Sequence, residues 1–208
     1  CYLNLWGTWA FEFIPEHINQ PKSLKLVLPD SIPVPSCIER YGYGKPFYRN
    51  VGYVWEDWYK NNPPYVPDSL NYSAHYQRHF TFPNSFHGKQ IILYIGSATS
   101  NVQVYINGKS VGYSEDSKLA VEFDITEYVH KGDNQIDLIL HRWCDGTYVE
   151  DQDFWRLTGL SRELYIVARQ KSHISDFFVH ADYDYTTSAG ILTIDHIEGD
   201  NLKGCSIE

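Results

Sequence analysis

The chain has 208 residues, 43% hydrophobic and 21% charged, which suits one large domain, or one domain and part of another, and excludes a disordered or fibrous composition. A net charge of -9 with no clustering of Lys and Arg argues against nucleic-acid and anionic-membrane partners, and no apolar run approaches the roughly 18 residues of a membrane span. There is no Met, even at position 1, and no basic, apolar leader, so the chain is expected to be a piece of a longer product.

In chain order, WAFEFI (9–14) is the first run with the apolar, β-branched and aromatic character of a strand. From about Ile14 to Pro83 the pattern changes, because most of the ten prolines fall there, as in IPVPS (32–36) and NNPPYVP (61–67). Fixed φ angles and missing N–H donors predict extended arms and loops lying on a sandwich, and such loops commonly carry function. SAHYQRHFTF (73–82) alternates like a strand, which sets His75 and His79 about 13 Å apart and argues against a zinc pair. QIILYI (90–95), NVQVYI (101–106), LAVEFDI (119–125), QIDLILH (135–141) and ELYIVA (163–168) are further strands. Asn107-Gly108 is a strong hairpin signal, since both residues accept positive φ, and Lys131-Gly132-Asp133-Asn134 is another turn. No segment has a convincing helical period. Short strands so closely spaced predict an all-β fold, a jelly-roll β-sandwich.

After Arg169–Ser172, HISDFFVHADY (173–183) and ILTIDHI (191–197) predict two more strands, too few to close a sandwich of their own. Their apolar residues Phe177, Phe178, Ile191 and Ile194 are expected to lie on the jelly roll or to pair with another copy. Cys1, Cys37, Cys144 and Cys205 are widely spaced with no C-x-x-C, which predicts free thiols. A cytoplasmic setting is favoured, with the periplasm as the alternative if a signal peptide has been removed. Asn71-Tyr72-Ser73 matches the glycosylation acceptor pattern, a weak signal on its own.

The stretch DGTYVEDQDFWR (145–156) concentrates four acids and runs directly into Phe-Trp-Arg. Taken alone, Asp145, Glu150 and Asp151 fit a solvated turn whose acids cap it and pair with Arg156 or Arg162, pinning Phe154 and Trp155 into the core. Trp155 and Arg156 are expected to be structural.

PFYRNVGY (46–53), NNPPYVP (61–67), VYINGKSVGYSEDSKLAVEFDIT (104–126) and RWCDGTYVEDQDFWRLTGLSRELY (142–165) occur in the order found at the start of the β-galactosidases of glycoside hydrolase family 2, which the chain resembles over residues 3–182. The element W-R-L-x-G-x-x-R-x-L-Y (Trp155 to Tyr165) is shared across that family, glucuronidases and mannosidases included. D-G-x-Y-x-E-D-Q-D before it, with N-P-P-x-V-P upstream, points to the β-galactosidase branch. The resemblance implies a jelly-roll sugar-binding domain over 1–170, the first strands of a truncated immunoglobulin-like domain over 171–208, and a (β/α)8 barrel outside this chain.

Retaining glycoside hydrolysis needs an acid/base and a nucleophile about 5–5.5 Å apart. In the family both are glutamates of the barrel, so this chain is expected to hold no catalytic residue and to be inactive alone. The resemblance implies that Asp153 binds a galactose hydroxyl and a sodium ion, and that Asn50 contributes to the same sugar subsite. Magnesium would bind elsewhere in the full-length enzyme. The implied partners are a β-galactoside, the C-terminal barrel of the same chain and further copies in a homo-oligomer.

Three departures bear on substrate preference: Cys37-Ile38 replaces Asn-Trp after Pro35-Ser36, Leu5-Trp6 precedes Gly7-Thr8-Trp9, and VGYVWEDWYKN (51–61) is longer and more aromatic than the common form. The competing readings are an autonomous carbohydrate-binding module, another family 2 specificity such as β-glucuronidase, and a small hydrolase using Asp151 and Asp153, about 6.6 Å apart if extended.

Overall fold

Alternation of apolar and polar residues builds nearly all of this molecule, a computed structural model that describes residues 2–16, 24, 27–150 and 153–204. One antiparallel sheet has four strands in the order β1 (Tyr2–Asn4), β14 (Leu164–Arg169), β7 (Gln90–Ile95) and β10 (Val121–Asp124). The other has six, in the order β3 (Asp30–Val34), β2 (Gly7–Ile14), β6 (Ser73–Thr81), β11 (Asp133–His141), β8 (Val102–Ile106) and β9 (Lys109–Ser114). Their inner faces enclose one core in which Trp9, Phe11, Tyr76, Leu93, Ile106 and Leu138 are almost wholly buried. The protein is thus an all-β, jelly-roll sandwich.

The strands expected from the sequence are all present. The hairpin at Asn107-Gly108 joins β8 to β9 with φ of 52° and 77°, the positive values such a turn demands. Cys37 and Cys144 are free thiols, while Cys1 and Cys205 lie outside the described residues.

Two expectations need correction. The proline-rich region is not only arm and loop, since it contains β3, whose Pro33 pairs with Thr8 of β2. Proline is tolerated there because β3 is an edge strand and one side needs no N–H donor. The acidic stretch also contains a single helical turn, α1 (Thr147–Glu150), too short to leave a period in the sequence.

β15 (His173–Asp184) and β16 (Ala189–Asp200) pair with each other in a long hairpin. Phe177 and Phe178 remain 54% and 55% exposed, so the hairpin does not lay these residues on the sandwich. Asn71 is buried, and its amide donates to the Trp143 carbonyl and accepts from the Trp143 N–H, so it is closed to glycosylation.

The middle of the six-stranded sheet is buried on both faces, and the outer one holds a carboxylate. Asp137 is fully buried; its Oδ1 meets His75 Nε2 and accepts from Gln77 Nε2, both at 2.9 Å, and its Oδ2 accepts from Gln135 Nε2 at 2.7 Å. His79 pairs separately with Asp133, so the two histidines serve different acids and form no chelate. Burial alone would raise the Asp137 pKa, but the hydrogen bonds from His75, Gln135 and Gln77 outweigh it and leave the carboxyl below its ordinary value.

A depressed carboxyl pKa stabilises the fold above the unfolded value, near 3.9, and that contribution is lost as pH falls through the lower folded value. Urea unfolding between pH 2.5 and 7 should therefore show stability dropping below about pH 4. Asp137→Asn should flatten the drop, and an unchanged pH profile in that variant would show that other carboxylates cause it.

Candidate functional site

The candidate residues Asn50 and Asp153 flank the two strands of a short ribbon. β5 (Phe47–Arg49) pairs antiparallel with β12 (Phe154–Arg156), Tyr48 opposite Trp155 and Arg49 opposite Phe154. Asn50 directly follows β5 and Asp153 directly precedes β12, both as bends outside the paired residues. Tyr48 and Trp155 stand opposite each other on one face of the ribbon, and the Tyr48 hydroxyl reaches Asp153 from there. Asn50 and Asp153 are both exposed. Asp153 Oδ1 accepts a hydrogen bond from the Tyr48 hydroxyl at 2.7 Å, and the Tyr48 and Trp155 rings lie 5.6 Å apart. This hydrogen bond is the leading reason the Tyr48 phenol titrates above its ordinary value.

Trp155 does not enter the core. It is 57% exposed, and Tyr48, which shares its face of the ribbon, is 52% exposed. Phe154, half-buried, turns the other way, with Lys118 Nζ 5.4 Å and the Arg156 guanidinium 4.4 Å from its ring centre. Glu150 at the end of α1 accepts from the Ser117 N–H and from its hydroxyl, tying the acidic turn to the loop before β10. Asp151 lies outside the described residues, so the pair it would form with Asp153 has no geometry here.

Behind the ribbon stands a second small core. Val54, Trp55 and Trp143 are buried with Phe47, Tyr53, Tyr59 and Tyr148 packed on them. The Trp55 ring stacks on Tyr53 at 5.4 Å, meets Trp143 edge-on at 5.3 Å, and donates its indole N–H to Asn61. The long aromatic loop 51–61 is therefore packing material that supports the ribbon from beneath. Arg49 clips it at one end, reaching Glu56 at 3.5 Å and Asp57 at 3.3 Å.

Arg142 links this small core to the sandwich. It is 5% exposed, its guanidinium lies 4.6–5.5 Å from the centres of the Tyr72, Trp143 and Phe47 rings, and it donates to the Lys45 carbonyl at 2.9 Å. Tyr72 donates to Glu39 Oε1 at 2.6 Å, and the Glu39 carboxylate accepts from the Thr158 N–H at 3.0 Å. The chain just past β12 is anchored by this network. Tyr48, Arg142, Glu39 and Tyr72 escaped the sequence reading; only Tyr48 left a signal, its period-two spacing from Asn50 within PFYRN.

The geometry limits what the site does unaided. The hollow behind the ribbon, between Lys118, Arg142, Glu150 and Phe154, has a volume of about 40 Å³. Small-molecule sites usually need about 300–1,000 Å³, so this space suits water and not a sugar ring. Larger hollows of 250–430 Å³ lie elsewhere, with neither Asn50 nor Asp153 in their walls. Toward a hard cation, Asp153 offers a carboxylate oxygen, which fits one position of an oxygen shell and leaves the rest to be supplied by other groups. Among the described residues, the cluster that brings three ligand-type side chains within 4.8 Å is Glu115, Cys144 and Asp145, and Asp153 is not in it.

Residues 3–169 match the family model "Glycosyl hydrolases family 2, sugar binding domain". A β-galactosidase of Streptococcus thermophilus is 41% identical over 164 residues, which is 79% of this chain and 16% of that protein. One of Priestia megaterium is 36% identical over 93% of this chain and 19% of its own length. The chain thus spans less than a fifth of these relatives. Among solved structures, a β-glucuronidase of Ruminococcus gnavus in complex with D-glucaro-d-lactam superposes with a TM-score of 0.71 at 22% identity, over 96% of this chain and 34% of that one. A β-glucuronidase from an uncultured Clostridium gives 0.69 at 22% identity, over 98% and 34%. At such identity the likeness is one of fold.

Arg142→Ala should lower the unfolding free energy by about 3 kcal/mol, since it empties a ring-lined cage and removes the donor to the Lys45 carbonyl. Urea denaturation monitored by Trp fluorescence would read this, and a loss below about 0.5 kcal/mol, the level of an ordinary surface substitution, would show that the cage carries no weight.

Proposed function

The chain belongs to glycosyl hydrolase family 2 through its sugar-binding domain, and from that premise we propose that it lends Asn50 and Asp153 to the terminal-galactose subsite of a retaining β-galactosidase. The subsite is completed by a catalytic barrel outside this chain. The observation that supports the reading is the exposed Asp153 carboxylate held across the ribbon by the Tyr48 hydroxyl, with Asn50 exposed at the end of the paired strand. A carboxylate accepts from sugar hydroxyls and an amide both donates and accepts, so together they suit a polyhydroxylated ring that has its remaining contacts elsewhere. Such a half-site is poorly suited to an autonomous binding module, which needs its own concave or flat sugar platform.

The charge on this face favours a neutral sugar. Asp153 is an exposed acid, and Arg49 and Arg156 project to the opposite side of the ribbon. Without a cation on Asp153, a glucuronide carboxylate would meet repulsion there, whereas galactose hydroxyls would not. In the same reading Asp153 supplies one oxygen to a sodium ion, which adds positive charge and orients a sugar hydroxyl when bound. The β15–β16 hairpin opens an immunoglobulin-like domain whose later strands, or a second copy, cover its exposed Phe177 and Phe178.

The test is hydrolysis of an aryl β-galactoside by the 208-residue chain, by the longer protein that carries it, and by that protein with Asp153→Ala. The chain alone should show no turnover, and Asp153→Ala should lose about 10- to 100-fold in kcat/KM, the worth of one or two charge-assisted hydrogen bonds. Turnover by the short chain, or an unimpaired variant, would refute the proposal.

A further inference from the structure

We infer that Tyr48 is a positioning residue: its phenol holds one oxygen of Asp153 so that the other is presented to the sugar. This rests on the galactose-subsite reading above. Asp153 is exposed, and an exposed Asp side chain ordinarily samples several rotamers. Here Oδ1 is engaged by the Tyr48 hydroxyl at 2.7 Å, which leaves Oδ2 to accept from a ligand hydroxyl or to bind a hard cation.

Tyr48 is itself held at two points. Its backbone sits in the β5–β12 register opposite Trp155, and its ring packs against the Trp155 ring at 5.6 Å, so the hydroxyl reaches diagonally across the ribbon from a fixed base. The Tyr–Asp pair joins residues 105 apart in sequence, and it restrains the carboxylate before any ligand arrives. Part of the ordering cost that sugar binding would otherwise meet is thereby met in the folded chain.

The experiment is a double-mutant cycle in the longer protein, with Tyr48→Phe and Asp153→Ala separately and together, read by aryl β-galactoside kinetics and by crystal structures. Phenylalanine keeps the ring and its contact with Trp155 and removes only the donor, so a change in folding is not expected. Tyr48→Phe should raise KM about 3- to 10-fold, the worth of one donor, with kcat less affected. In the Asp153→Ala background the same substitution should add nothing. In the Tyr48→Phe crystal structure, Asp153 should occupy more than one rotamer.

Wild-type kinetics for Tyr48→Phe would overturn the inference. An equal loss with and without Asp153 would also do so, because Tyr48 would then act on the ligand directly. If Asp153→Ala is itself silent, the galactose-subsite reading fails, and the Asp153 rotamer in the Tyr48→Phe structure decides the remaining point. A single unchanged rotamer refutes the holding role, and a spread of rotamers supports it.

Discussion

A buried guanidinium holds the site in place. Arg142 sits at the end of β11, where the sandwich gives way to the acidic turn, and its charge is removed from water among Tyr72, Trp143 and Phe47. Burial lowers its pKa, while the field of Glu39 and the Tyr72 hydroxyl restores part of the loss. A lysine could not serve in the same way, because a compact, strongly hydrated ammonium neither stacks on three rings nor spreads its charge over a plane. Through Tyr72 and Glu39 the arrangement reaches the Thr158 N–H, and through Phe47 it reaches β5. Both strands of the ribbon are thereby tied to one buried group.

The two cores divide the work. The large one between the sheets is built from aliphatic and aromatic residues at strand spacing and gives the domain its stability. The small one around Trp55 and Trp143 is almost entirely aromatic and packs a loop that would otherwise be mobile. Its rings are large, flat and few in rotamers, so a short loop gains a fixed shape at low entropic cost. Changes in loop 51–61 would therefore act on the ribbon through packing beneath it, without touching the face that carries Tyr48 and Trp155.

That face is open, polar and half-built. Asn50 and Asp153 flank opposite strands of the ribbon, and Asp153 is tied across it to Tyr48. Its aromatic pair, Tyr48 and Trp155, is solvent-exposed, with no layer of the described residues over it. The chain spans less than a fifth of the β-galactosidases it resembles.

Local physics was readable in the sequence. Period-two alternation is a property of neighbouring residues, so the strands, the Asn107-Gly108 hairpin and the all-β class followed from it directly. The motif around Asp153, together with Asn50, could be picked out by resemblance alone. What the sequence did not disclose depends on which distant segments meet. Pro33 became tolerable only when β3 took the edge of a sheet. Trp155 looked like core until the ribbon left its face uncovered, and Tyr48 gained a role only when pairing brought it within 2.7 Å of a carboxylate 105 residues away. Alternation says which residues share a face, whereas only tertiary packing decides whether that face is covered and what stands opposite it.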